Sequence, residues 1–273
     1  MYNELLHTAI KASFIAGEEI LKVYNEPFTV DYKADASPVT EADKKAGAVI
    51  EQLLESTGIP VLGEEGEHFP YTKRKDWKQL WIVDPLDGTK EFVKRNGEFT
   101  VNIALCENKQ PVIGVIYSPV FKNLYFAAKG LGSFKVNSHD VISIQQHSIN
   151  TDLSVFLDIA KRLPIHTQQR AYTIVASRSH LSSDLYNYIE QLKKAKGNVE
   201  CINTGSSIKM CLVAEGIADE YPRFGKTMEW DTCAGQCIVE QAGGSMIDCE
   251  TNEPIRYNRE ELENCWFIAK GTI

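Results

Sequence analysis

The 273-residue chain is short of positive charge: 29 lysines and arginines stand against 37 aspartates and glutamates, a formal net charge of -8. No lysine-rich or arginine-rich block offers the electrostatic footprint that a nucleic-acid polymer would need. Long apolar runs are also missing. The opening MYNELLHTAIKASFIAGEEI is broken by Glu4, Glu18 and Glu19, which fits neither a signal peptide nor a membrane span, and the expected location is the cytoplasm, with a peripheral place at an inner membrane left open. There is no C-x-x-C pair. The seven cysteines are scattered and odd in number, which favours reduced thiols over a disulfide framework. Cys233 and Cys237, four apart on an expected helix, would suit a soft metal only with further thiolates. Repeats, low-complexity tracts and long linkers are absent too.

What is present is a globular pattern that changes texture near residue 140. Apolar residues from Leu6 to Tyr24 recur at helical spacing, predicting a helix over Asn3 to Tyr24. Thr40 followed by Asp43 reads as the cap of a second helix reaching Gly58. Trp81-Ile82-Val83 is a buried strand expected to stop at Asp84-Pro85, and residues 100–105, 112–117 and 124–128 read as successive strands. Beyond 140, strands at 171–176 and 199–202 alternate with helices at 185–192, 207–214 and 232–241. The expectation is an α+β protein: an N-terminal subdomain over 1–140, a C-terminal α/β subdomain over 141–273, packed as a single compact unit with a cleft between them. Residues 138–166 are expected to be variable loops at a sheet edge.

The chemistry concentrates in Trp81-Ile82-Val83-Asp84-Pro85-Leu86-Asp87-Gly88-Thr89. A strand ending in two aspartates three apart, then Gly-Thr, gathers carboxylates, backbone N–H groups and a hydroxyl in one turn. Such hard oxygens suit magnesium, whereas zinc would favour histidine or cysteine. Gly88 would let the backbone approach an anion closely. Taken alone, Asp84-Pro85 reads as an ordinary strand exit and Asp87-Gly88 as an ordinary turn. Asp43 and Asp231 read also as helix-capping residues, and Glu65 and Glu67 read as solvated loop charges rather than ligands.

The whole string resembles the central motif of the inositol monophosphatase-like superfamily of magnesium-dependent phosphatases, W-[IV]-[IV]-D-P-[IL]-D-G-T. Three further segments agree in order: Pro38-Val39-Thr40-Glu41-Ala42-Asp43, Gly63-Glu64-Glu65 and Glu229-Trp230-Asp231-Thr232-Cys233-Ala234-Gly235. The resemblance implies a layered α/β/α/β/α sandwich of the inositol monophosphatase/fructose-1,6-bisphosphatase type, with two sheets interleaved with helices. It implies two or three Mg2+ ions on Glu64, Asp84, the Leu86 carbonyl, Asp87 and Asp231. Thr89 and Asp43, with Glu64, would serve the attacking water in catalysis, with no covalent intermediate.

Within that superfamily, Lys90-Glu91 and the run to Asn102 resemble the 3'(2'),5'-bisphosphate nucleotidase branch rather than the inositol phosphatases, which usually read G-T-x-N-F. The implied partner is a small-molecule phosphate, a nucleoside bisphosphate such as 3'-phosphoadenosine 5'-phosphate, with inositol phosphates or sugar phosphates as the alternative. Substrate contacts would come from Asp87, Gly88, Thr89, Ser177, His180, Ser206, Ser207, Lys209, Arg223 and Asp231. His180 reads as well as a surface histidine, and Lys33 as a lid residue or a solvated lysine.

Two look-alikes fall short. Gly225-Lys226-Thr227 lacks the upstream glycine of a P-loop, where Glu220 stands. Haloacid-dehalogenase phosphatases separate their aspartates by one residue, not two, and would form an aspartyl-phosphate. A non-catalytic nucleotide or metal sensor would have no use for a water-activating Thr89–Asp43 pair.

Overall fold

The computed structural model describes residues 2–32, 38–67, 69–147, 151–166, 170–177 and 182–272. The chain opens with α1 (Asn3–Tyr24), the short hairpin β1 (Val30–Tyr32) and β2 (Pro38–Thr40), α2 (Glu41–Glu55), β3 (Val61–Gly63), α3 (Tyr71–Arg74), β4 (Gln79–Asp87) and α4 (Thr89–Val93). A meander follows of β5 (Thr100–Glu107), β6 (Gln110–Ser118), β7 (Asn123–Ala128) and β8 (Gly132–Val136), then α5 (Ser138–His147), α6 (Leu153–Ile159) and β9 (Lys161–Arg162). The last stretch holds β10 (Tyr172–Ser177), α7 (Ser183–Lys196), β11 (Val199–Thr204), α8 (Ile208–Glu215), β12 (Glu220–Arg223), α9 (Glu229–Gln241), β13 (Ser245–Asp248) and β14 (Phe267–Lys270).

Strands β3 to β9 form a seven-stranded sheet in sequence order, antiparallel except for the parallel β3–β4 pair. The other large sheet runs β11-β10-β12-β14-β13. Here β10 is parallel to both β11 and β12. The crossovers from β10 to β11 and from β11 to β12 move in opposite directions across that sheet, so right-handed connections put α7 and α8 on opposite faces.

Strand alternation shows why the seven-stranded sheet is covered on both sides. Along β4 and β5, Trp81, Val83, Val101, Ile103 and Leu105 enter one core with α1, α2, α5 and α6. Their neighbours Leu80, Ile82, Ala104 and Cys106 enter a second core with α8, α9 and the five-stranded sheet. A strand buried on both faces reads as a continuous apolar run, as Trp81-Ile82-Val83 does. The layers are therefore helix, sheet, helix, sheet, helix, with α8 and α9 in the middle. Gly114 of β6 permits a close approach of α9, because a Cβ there would stand 2.4 Å from the Ala234 carbonyl.

Several elements differ from expectation. α2 ends at Glu55 rather than Gly58, with Ser56 as its C-cap. β4 does not stop at Asp84-Pro85 but continues to Asp87, because β5 keeps pairing past a register shift, Asp84 with Asn102 and then Asp87 with Thr100. Residues 138–166, expected to be loops, contain α5, α6 and the edge strand β9. The last long helix starts at Glu229, not Thr232, with Met228 as N-cap.

Candidate metal and phosphate site

The site grows out of the irregular end of β4. The shift in pairing turns the backbone between Asp84 and Asp87, and the Leu86 N–H donates to Asp84 Oδ1 at 3.0 Å. Gly88 follows in the left-handed region, φ 96°, and starts α4 at Thr89. A side chain at Gly88 would also meet the Glu98 carbonyl at 3.1 Å.

Two helix starts converge on this turn. In α2, Asp43 occupies the third helical position and its Oδ2 accepts from the Thr40 backbone N–H and hydroxyl, each at 2.7 Å. Its other oxygen accepts from Thr89 Oγ1 at 3.1 Å. Asp43 is thus both a helix cap and a partner of Thr89. In α9, Asp231 holds the equivalent position, accepting from the Met228 N–H at 2.8 Å.

The tight acidic group is Asp84, Asp87 and Asp231, whose carboxylate oxygens lie within 4.8 Å of one another. Glu64, just past the end of β3, lies outside that group, but its charge acts on all three. Enclosure raises Asp84 well above the usual carboxylate range, and the charges of Glu64, Asp87 and Asp231 push it further. Asp87 is raised to about 6, chiefly by burial and against the pull of Lys209. Asp231 is raised to about 8 by burial and then by Asp87. Carboxylates this close repel unless a cation lies among them. The donors are all hard oxygens, so the residues fit a hard divalent ion.

Beside the carboxylates is a cavity of about 140 Å³ whose walls include Asp87, Ser206, Lys209, Arg223 and Asp231. Lys209, buried in the first turn of α8, donates to the Ser206 carbonyl at 2.6 Å, and desolvation lowers its ammonium to about 8. Arg223 donates through Nη2 to the Lys226 carbonyl at 2.7 Å, while its Nε is buried with no partner among the described residues. That donor suits an anion. Tyr221 and Phe267, edge-to-face with centroids 5.7 Å apart, supply an apolar part of the wall.

The sequence-predicted residues Asp43, Asp84, Leu86, Asp87, Gly88 and Thr89 therefore meet in one place with Asp231, and Ser206, Ser207, Lys209 and Arg223 meet in the adjoining cavity. Ser207 is turned inward: its hydroxyl donates to Asn102 Oδ1 at 2.8 Å and its N–H to Asp87 Oδ2 at 2.5 Å. Ser177 ends β10 opposite Thr204. His180 and Lys33 lie outside the described residues. Sequence reasoning missed Tyr221, Thr227 and Phe267, which line the cavity without any motif to announce them. It named Lys90 and Glu91 by resemblance only, and both line the cavity.

A fold of this layering with such an acidic pocket fits a metal-dependent phosphatase. The family model for the inositol monophosphatase family matches residues 1–270. A curated relative, the 3'(2'),5'-bisphosphate nucleotidase CysQ of Salmonella typhimurium (strain LT2), is 43% identical over 237 residues, 85% of this chain and 86% of the relative. The crystal structure of CysQ from Bacteroides thetaiotaomicron, described as a bacterial member of the inositol monophosphatase family, superposes with a TM-score of 0.90 at 49% identity, covering 99% of this chain and 98% of that one. The extragenic suppressor protein suhB of Bartonella henselae superposes with a TM-score of 0.73 at 26% identity, over 98% of this chain and 94% of that one. The chain belongs to the inositol monophosphatase family.

Proposed function

We propose that the protein is a magnesium-dependent 3'(2'),5'-bisphosphate nucleotidase that removes the 3'-phosphate of 3'-phosphoadenosine 5'-phosphate, giving AMP and inorganic phosphate. The observation that carries the reading is the three-carboxylate group set against a cavity whose cations, Lys209 and Arg223, come from other elements. A substrate with one phosphate at the carboxylates and a second some distance away matches that division. The similarity to the Salmonella 3'(2'),5'-bisphosphate nucleotidase supports the same substrate class.

Glu64, Asp84, the Leu86 carbonyl, Asp87 and Asp231 would hold two or three magnesium ions, which when bound supply Lewis acidity at the phosphate and a lowered pKa for water. The remaining work falls to the chain. Thr89 gives its proton to Asp43, which leaves its oxygen free to accept from a water and aim it along the line of attack. Asp43, raised to about 6 by burial, can take up a proton near neutrality. Lys209 and Arg223 hold the distant 5'-phosphate. The Tyr221 and Phe267 wall keeps that end of the cavity partly dry, which strengthens both contacts.

The test compares phosphate release from 3'-phosphoadenosine 5'-phosphate, inositol 1-phosphate and fructose 1,6-bisphosphate, with magnesium and with chelator. The expected outcome is preference for the nucleotide by about a hundredfold in kcat/KM, roughly 2.7 kcal/mol in transition-state binding. Preference for inositol phosphate would leave the metal site standing and overturn the pocket. Trapping of an aspartyl-phosphate would overturn the mechanism.

A further inference from the structure

Asn102 lies in β5 opposite Asp84, where the β4–β5 pairing loses register, and is 1% exposed. Its carboxamide serves two sides. Oδ1 receives Ser207 Oγ at 2.8 Å and Thr100 Oγ1 at 3.0 Å, and these two hydroxyls are 2.8 Å from each other. Each hydroxyl has one proton, so the three contacts are not all donated at once: both hydroxyls donate to Oδ1, which accepts two, or one donates to the other and the second to Oδ1. On the other side, Nδ2 donates to Asp87 Oδ2 at 3.4 Å. A flipped amide would set its oxygen against that carboxylate, so the orientation is fixed by charge.

The same Asp87 oxygen receives the Ser207 N–H. Both bonds on Oδ2 set the plane of the carboxylate and leave Oδ1 for an ion. The turn that brings Ser207 there is itself gripped by the β4–β5 connection. The Gly205 N–H donates to Glu98 Oε2 at 2.8 Å, and a Cβ at Gly205 would stand 2.7 Å from Glu91 Cγ and 2.9 Å from the Glu98 carbonyl. Ser206 takes a left-handed conformation, φ 48°, and its carbonyl receives Lys209.

We infer that Asn102 is a positioning residue of the site, acting through Ser207 and Asp87: it locks the 205–207 turn of the C-terminal half onto β5 and aims the free oxygen of Asp87 at the metal. On this inference, which rests on the metal-site reading above, the Ser207 hydroxyl belongs to the latch and does not contact substrate.

The experiment measures the dissociation constant of Mn2+ by calorimetry on the intact protein without substrate, for wild type, Asn102→Ala and Thr100→Val. Asn102→Ala is expected to weaken Mn2+ about tenfold, in line with the loss of a residue that orients a metal ligand, and Thr100→Val about threefold. A residue that only supports the fold would lower the melting temperature and leave the Mn2+ constant of the folded protein unchanged. Wild-type Mn2+ affinity in both variants overturns the inference; if Asn102→Ala does not fold, Thr100→Val and Asn102→Ser decide it on the same readout. If the wild type fails to hydrolyse the nucleotide while Mn2+ binding still depends on Asn102, the substrate reading falls and the positioning role stands. Nucleotide hydrolysis with unmoved Mn2+ affinity separates the two the other way.

Discussion

Thr89 carries a hydroxyl whose proton is already spoken for by Asp43, and that makes it a test of how water is handled in the site. Thr89→Val keeps the shape and removes the acceptor; kcat is expected to fall by about 10² or more, the usual range for a lost proton-handling group, while Thr89→Ser keeps most of the activity. Steady-state kinetics at saturating magnesium check both. Asp84→Asn and Asp231→Asn should abolish magnesium-dependent turnover with the fold intact by circular dichroism, and normal activity in either would remove that residue from the site. These four residues were legible in the sequence because Asp84 and Thr89 sit in one contiguous run and Asp43 and Asp231 each in a short motif of its own. Asn102 and Glu98 were not legible as site residues. Their significance lies in contacts with Ser207 and Gly205, more than a hundred positions away, which only the meeting of the two halves creates.

At the scale of elements, the seating of α9 on β6 decides where Asp231 stands. Gly114→Ala would drive a methyl into the Ala234 carbonyl and Cys237 Cβ, neither of which can swing aside. Overpacking of this kind costs about 1–3 kcal/mol, and lifting α9 should weaken metal binding as well. Urea unfolding and Mn2+ calorimetry on the variant check the pair of effects; stability loss with unchanged affinity would show that α9 can shift without carrying Asp231. Long elements with strong periodicity, α1, α2 and the strands β4 to β7, were readable beforehand because each buries many residues in regular order. α5 and α6 were not. α6 buries only Leu153 and Phe156, and the buried apolar residues of α5 are Val141 and Ile144, too few positions to set a period against polar neighbours.

At the scale of the molecule, the two sheets are joined through buried polar contacts as well as apolar packing. Glu215, at the end of α8, accepts from Tyr125 at 2.6 Å and Lys135 at 2.8 Å on the seven-stranded sheet. Glu215→Ala would strand Lys135 beside an apolar layer and is expected to cost about 3 kcal/mol, read by denaturant unfolding. The acidic group sets a second global property. A carboxyl raised by folding holds its proton where the unfolded chain has released it, so its stabilising effect is present at low pH and is lost as pH climbs through about 6 for Asp87 and about 8 for Asp231. An ion among the carboxylates reverses that loss and adds binding energy of its own. The rise in melting temperature on adding magnesium should therefore be larger at pH 8 than at pH 5; an equal rise at both would mean that the carboxylates do not control stability.

The acidic group takes Asp84 and Asp87 from the first third of the chain and Asp231 from its last fifth. During synthesis the β4 turn leaves the ribosome well before α9 exists, and contacts so distant in sequence form late. The ion-binding pocket is thus completed only when the C-terminal stretch has folded back between the sheets. A metal ion held there would not template the early meander, and its capture would mark the end of folding rather than its start.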